Sequence, residues 1–295
     1  MSSHETYISN FYTNRSSTYN DSWHPAFAAL LLNTAVTSCP SLKTTASPIL
    51  LDLACGTGLV TLAALTHPHL PSITRIIGID ISPGMLSVAR ARLAAVFTPE
   101  QQSRVQLLQH SMLSPLSHPA LKPLEGHIDI ITCASAFVLL ANAEERAAAL
   151  TEWESMLKPG SGRLVFDVTH EHNLRAGLVM EAVGKRLGLR TPGERGWITG
   201  EQSVRELVRG CKGLDVERVE VVAQTGEGVQ RLEKGREVAE KKFERMIGVE
   251  AYSEFRGKRQ DEAREAFVEE WAKAAGEDGL VEVVDGVYVV VARMK

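Results

Sequence analysis

The run Ile49-Leu50-Leu51-Asp52-Leu53-Ala54-Cys55-Gly56-Thr57-Gly58 constrains this chain more than any other stretch. An apolar strand bearing an acid enters a turn of small residues, and residues 59–65 continue as an apolar, alanine-containing helix. About twenty residues past the turn, a second apolar run, Ile76-Ile77-Gly78-Ile79, ends in Asp80. This is the layout of a nucleotide-handling β-α-β unit, whose second acid hydrogen-bonds a ribose hydroxyl pair.

The details of the turn narrow the nucleotide. A dinucleotide site carries G-x-G-x-x-G; Gly56 and Gly58 fill the first two places, and Thr61 occupies the third. A phosphate-binding loop needs G-K-[ST] after its glycines, which Leu59-Val60 exclude. The remaining pattern, Asp52-x-Ala54-x-Gly56-x-Gly58, resembles the first motif of class I S-adenosylmethionine-dependent methyltransferases, Asp/Glu-x-Gly-x-Gly-x-Gly. Ala54 replaces the first glycine, as in the ubiquinone-biosynthesis-like and other small-molecule branches. Such a cofactor has no phosphate and needs no basic residue in the loop. It needs backbone close to a methionine carboxylate and ammonium, which small residues permit. Further on, Leu157-Lys158-Pro159-Gly160-Ser161-Gly162-Arg163-Leu164-Val165 resembles the family's "LKPGG-x-L" segment before strand five, with Ser161 inserted.

Strands and helices alternate from Pro48 onward. Ser82-Pro83 starts a helix as N-cap and first-turn proline, and Asn142-x-x-Glu145 opens another as a capping-box variant. Thr199-x-x-Gln202 reads as a third cap. Strands are expected over residues 105–109, 128–133, 163–168, 214–222 and 286–293. Periodicity alone implies an alternating, mostly parallel α/β fold. The resemblance implies a doubly wound, seven-stranded Rossmann-like sheet of order 3-2-1-4-5-7-6 with the last strand antiparallel. We expect one methyltransferase domain over residues 1–295, with an N-terminal arm or lid (1–44), a cofactor-binding core (45–170) and a helical insertion (228–277). The insertion's apolar stripes are Leu232, Ala239, Phe243 and Met246, then Ala263, Phe267 and Trp271. They suit docking on the sheet's helical layer better than covering an acceptor pocket; for the arm, the lid reading is preferred.

Composition closes off other classes. A net charge of −4 with interspersed signs argues against a nucleic-acid binder. The stretch 128–141, interrupted by Asp129, is too short to span a bilayer, and residues 1–10 lack a signal-peptide pattern. Cys39, Cys55, Cys133 and Cys211 are scattered, without disulfide or metal-ligand spacing. We therefore expect a soluble cytoplasmic monomer or homodimer whose partner is a small-molecule acceptor, with neither nucleic acid, membrane nor metal.

The resemblance assigns the cofactor S-adenosyl-L-methionine to Asp52, Ala54, Cys55, Gly56, Gly58, Asp80, Ile81, Met85, Ser111, Met112 and Cys133. Asp80 would accept from the ribose, Ile81 and Met85 would flank the adenine, and Cys133 would act through main chain. The family's acid after strand three is missing, because that place reads His110-Ser111-Met112. The arm's Tyr19-Asn20-Asp21-Ser22-Trp23-His24-Pro25 resembles a segment that closes over the cofactor, and Tyr19 and Trp23 offer aromatic faces to a sulfonium. After strand four, Ala134-Ser135-Ala136-Phe137 replaces the Asn/Asp-Pro-Pro-Tyr pattern of nucleic-acid and glutamine methylation, pointing to oxygen or carbon of a small organic molecule. His170 and His172, just past strand five, and His24 in the arm are candidate general bases, of which His170 is carried forward. The overall style resembles enzymes of fungal specialised metabolism. Two alternatives remain open: a cyclase or isomerase of this fold without methyl transfer, and a regulatory binding protein.

Overall fold

The β1 run Ile49–Leu53 is buried along nearly its whole length and pairs in parallel on both sides, which is why it reads as continuous apolar sequence. The computed structural model describes residues 2–19, 23–70, 74–173, 175–191, 195–223 and 228–295. In chain order the helices are α1 (Ser3–Arg15), α2 (His24–Thr37), α3 (Leu59–Ala63), α4 (Pro83–Val96), α5 (Pro99–Gln102), α6 (Ala143–Met156), α7 (Arg175–Leu187), α8 (Glu201–Arg209), α9 (Arg236–Ile247) and α10 (Gln260–Lys273). After β1 the strands are β2 (Arg75–Asp80), β3 (Val105–Gln109), β4 (Ile130–Cys133), β5 (Arg163–Thr169), β6 (Leu214–Val222), β7 (Val229–Glu233), β8 (Leu280–Val284) and β9 (Val287–Met294).

Seven strands form one sheet in the order β3-β2-β1-β4-β5-β9-β6, with β9 antiparallel. Counting only this sheet's strands, that is the expected 3-2-1-4-5-7-6. The register places Leu51 beside Ile77 and Ile131, so the carboxyl ends of β1, β2 and β4 lie along one edge. The order reverses beside β1, and ligands of doubly wound sheets bind at such a switch point.

Two compact units result: Met1–Val168 with Val204–Glu220 and Tyr288–Lys295, and Thr169–Ser203 with Val221–Val287. The second has its own core. Phe243 of α9 and Phe267 and Trp271 of α10 pack with Val179, Met180 and Val183 of α7 and with Val281 of β8. The insertion's helical stripes are thus satisfied within this unit. Leu232, expected on the first of those helices, lies on β7, because helix begins only after Gly235. Strands β7 and β8 form an antiparallel pair with Arg231 opposite Glu282.

The expected helix starts at Ser82 and Asn142 are present: each side chain accepts from the backbone N–H three residues on. Near Thr199 the pattern differs. Helix starts at Glu201, and the Thr199 N–H donates to the Ser203 hydroxyl. Helix α1 was not expected, since it has no apolar stripe. Its start is nevertheless a capping box, in which Ser2 and Glu5 each bond the other's backbone N–H.

Candidate functional site

The β1–α3 turn is held open by buried carboxylates. Asp52 is 1% exposed; one oxygen accepts from the Thr61 N–H (3.1 Å) and hydroxyl (2.6 Å), the other from the Thr132 hydroxyl (2.8 Å). Thr61, at the place of a dinucleotide motif's third glycine, therefore ties the helix to the strand. Burial pushes the Asp52 carboxyl up to about 6 against these hydrogen bonds. Asp80 closes the turn from β2: its oxygens accept from Gly56 N–H (2.8 Å) and Ser82 N–H (2.7 Å). Burial raises this carboxyl to about 6 as well. The turn runs through left-handed backbone at Ala54 (φ +50°), Gly56 (+55°) and Gly58 (+82°). Ala54 thus occupies a conformation that glycine adopts without strain.

The two glycines do different work. A Cβ on Gly56 would meet nothing within 4 Å, and Gly56 lines a cavity. A Cβ on Gly58 would lie 3.2 Å from both Ala89 Cβ and Leu62 Cγ. Gly58 lets α3 pack against α4 and stands apart from the lining.

The cavity and its mouth together span about 1050 Å³ of non-atom space, part of it open solvent. Its floor is the carboxyl edge of the sheet, and the arm covers it. Helix α1 is bolted down by polar contacts: Ser9 Oγ donates to Ile81 O (3.1 Å), Thr13 and Ser82 hydroxyls share a hydrogen bond (2.8 Å), and Ser111 Oγ donates to Glu5 Oε1 (2.5 Å). His4 Nε2 meets Leu139 O (2.9 Å). Contact with α4 is close enough that a Cβ on Gly84 would come within 2.9 Å of Thr13 backbone. Burial alone would raise the Glu5 carboxyl, but hydrogen bonds from Ser111 and Ser2 outweigh it and hold it below its ordinary value. An acid absent from the His110-Ser111-Met112 loop is thereby brought to Ser111 from the arm.

Of the residues singled out by sequence, Tyr19, Asp52, Ala54, Cys55, Gly56, Asp80, Ile81, Met85, Ser111 and Met112 line this one cavity, as does His24. Tyr19 meets Tyr12 edge to face (5.7 Å between centroids) and His24 at a tilt (4.6 Å). Burial, then the nearby Tyr12, Asp167 and Asp80, push its phenol far up, so it keeps its proton. Asn20, Asp21 and Ser22 lie outside the described residues. Cys133 is buried beneath the lining rather than in it.

His170 belongs to the second unit. Its Nδ1 accepts the His172 N–H (3.1 Å) and lies 3.4 Å from Glu171 Oε2. Burial lowers its basicity, more than Glu171 restores it. With its basic lone pair already accepting a backbone hydrogen bond, His170 is poorly arranged to take a proton. His172 Nδ1 pairs with Glu282 (2.8 Å).

Sequence reasoning missed Asp167. It is 4% exposed on β5 and accepts from Ser135 N–H (2.5 Å), where Ser135 itself has φ +56°. Burial raises its carboxyl to about 7. A lone acid inside an apolar strand was the available signal.

Residues 50–160 match the family model described as "Methyltransferase domain". An uncharacterized methyltransferase of Emericella nidulans is 34% identical over 146 residues, 47% of this chain and 48% of that protein. The ubiquinone/menaquinone biosynthesis C-methyltransferase of Syntrophotalea carbinolica is 33% identical over 133 residues, 44% and 48% of the two chains. The chain thus spans about half the length of these curated relatives. Magnesium protoporphyrin IX methyltransferase from Synechocystis PCC 6803, solved with bound S-adenosylhomocysteine, superposes with a TM-score of 0.52 at 16% identity, covering 75% of this chain and 93% of that one.

Proposed function

We propose that this chain is a class I S-adenosylmethionine-dependent methyltransferase, with S-adenosylmethionine as its cofactor, and that it methylates oxygen or carbon of a small organic molecule in specialised metabolism. The observation that carries this reading is the single cavity uniting the Gly56 turn, Asp80 and the arm's aromatic residues. The cofactor fits the residues present. It carries a net positive charge at neutral pH, and the lining offers carboxylates, open space over Gly56 and no lysine or arginine among the described residues. Bound there, it would supply an electrophilic methyl carbon, whose bond to sulfur breaks as the acceptor's lone pair forms the new bond.

The chain's own residues bind, orient and exclude water. Asp80 retains lone pairs beyond those given to Gly56 and Ser82, and we assign these to the ribose hydroxyls. Ala54, Cys55 and Gly56 offer backbone to the methionine end, with Asp52 holding their turn. Ile81 and Met85 would provide apolar contact for the adenine, and Ser111 and Met112 would meet its polar edge. Tyr19, neutral and aromatic, would offer its ring to the sulfonium. Cys133 and Gly58 support the floor from behind. Positioning of this kind supplies roughly 7–11 kcal/mol of a displacement barrier. Where the acceptor arrives protonated, His24, which lines the cavity, is a better-placed base than His170.

In this reading the whole chain acts as one methyltransferase, with residues 1–44 as arm, 45–170 as cofactor core and 228–277 as insertion. Its monomer or homodimer works in the cytoplasm, where Cys39, Cys55, Cys133 and Cys211 stay reduced; all four are free and buried. No helix among the described residues is long and apolar enough to cross a membrane. The test is a mass-spectrometric assay of acceptor and S-adenosylhomocysteine together. Equimolar methylated product and S-adenosylhomocysteine are expected; full conversion of a substrate without S-adenosylhomocysteine would instead support a cyclase or isomerase.

A further inference from the structure

The charge of the cavity selects the acceptor. Among the described residues its lining carries four carboxylates, Glu5, Asp52, Asp80 and Glu145, and no lysine or arginine. Asn20, Asp21 and Ser22, between the lining residues Tyr19 and His24, add no basic side chain. Arg92 reaches the Thr57 hydroxyl (3.3 Å) from α4 but is not part of the lining. Two of the lining histidines have their Nε2 committed to carbonyls: His4 to Leu139 and His110 to Ser114. An anion moved into this space would lose hydration without gaining a lysine or arginine partner from the described lining, whose remaining histidine is His24. A cationic cofactor reduces the negative charge of the lining without reversing it.

The rest of the wall is apolar and aromatic. The arm brings Tyr12, Tyr19 and Phe27, while the segment after β4 brings Ala136, Leu139 and Leu140. Tyr12 and Tyr19 meet edge to face, at 75° between ring planes, so their faces and edges offer the offset and T-shaped contacts that flat rings prefer. We propose that the acceptor is an uncharged, flat, ring-bearing apolar molecule, and that the carboxylate-lined cavity rejects carboxylate, phosphate and diphosphate acceptors. This rests on reading the cavity as the methyl-transfer site.

The test uses the full chain saturated with S-adenosylhomocysteine, binding of which is first measured by calorimetry. Failure of that step counts against the methyltransferase reading itself. Two probes of one ring system, 2-naphthol and 2-naphthoate, are then titrated at pH 7.5. The naphthol should bind at least tenfold more tightly. Naphthoate is also the better hydrated molecule, so the contribution of the lining is isolated with Glu5→Gln/Glu145→Gln. Glutamine at position 5 preserves the capping box, and circular dichroism checks the fold. In this variant the preference for naphthol should shrink at least threefold. Naphthoate binding as tightly as naphthol, absence of saturable naphthol binding, or a preference unchanged in the variant overturns the proposal while leaving cofactor binding intact.

Discussion

Gly56 and Gly58 sit two residues apart in one motif, and alanine at each should separate binding from packing. Both have left-handed backbone, at φ +55° and +82°, which costs an L-residue about 1–2 kcal/mol. Alanine offsets about 0.4–1 kcal/mol of that by restricting the unfolded chain. At Gly56 nothing lies within 4 Å of the added methyl, so Gly56→Ala should lose about 1 kcal/mol of stability. Its methyl enters cavity space that the cofactor needs, and affinity should fall at least tenfold, about 1.4 kcal/mol. At Gly58 the methyl would sit 3.2 Å from Ala89 Cβ and Leu62 Cγ, and overpacking adds about 1–3 kcal/mol. Gly58→Ala should therefore lose about 2–4 kcal/mol in urea denaturation while keeping cofactor affinity within about threefold. Calorimetry with S-adenosylhomocysteine, at a temperature where both variants are folded, reads the second quantity. Equal affinity losses, or a Gly56→Ala less stable than Gly58→Ala, would refute the division of roles.

Three other outcomes follow from the same geometry. Asp167, raised to about 7 in the fold from an ordinary value of 3.8, contributes stability present at low pH and lost as pH rises through 7. Asp167→Asn, which keeps an acceptor for Ser135, should flatten the melting temperature between about pH 4 and 7 and raise it at pH 8; an unchanged profile would contradict this. Gly84→Val places side chain against Thr13 backbone, so residues 2–19 should become protease-sensitive and cofactor affinity should fall. Equal protease resistance would show that the arm is held elsewhere. Asp52 and Asp80, both at about 6, lose their negative charge as pH falls through 6, so S-adenosylmethionine should bind more weakly at pH 5 than at pH 8 by calorimetry.

What was legible in the sequence was what local pattern determines. The β1-turn-α3-β2 unit could be read because a doubly buried parallel strand must be continuously apolar and its turn must be small. Helix α1 escaped because polar anchors hold it rather than an apolar stripe: Ser9, Thr13 and Glu5 bond partners 69 to 106 residues away. Its Ser2-x-x-Glu5 capping box was the overlooked signal. The β7 strand escaped because Val229–Glu233 is short and its partner β8 begins only at Leu280. At the site, ten residues singled out by sequence pattern line one cavity, but the pattern could not separate Gly56 from Gly58. That distinction depends on where Ala89 and Leu62 stand, which only packing decides. Asp167 and Glu5 were missed because their partners, Ser135 and Ser111, are remote in sequence.

Amide hydrogen exchange of the full chain with and without saturating S-adenosylhomocysteine tests the account most directly, since it needs no acceptor. Slowed exchange is expected in residues 54–60, 80–86 and 111–113 and in the arm helix Ser3–Arg15. Saturable binding that leaves those four segments unprotected would contradict it.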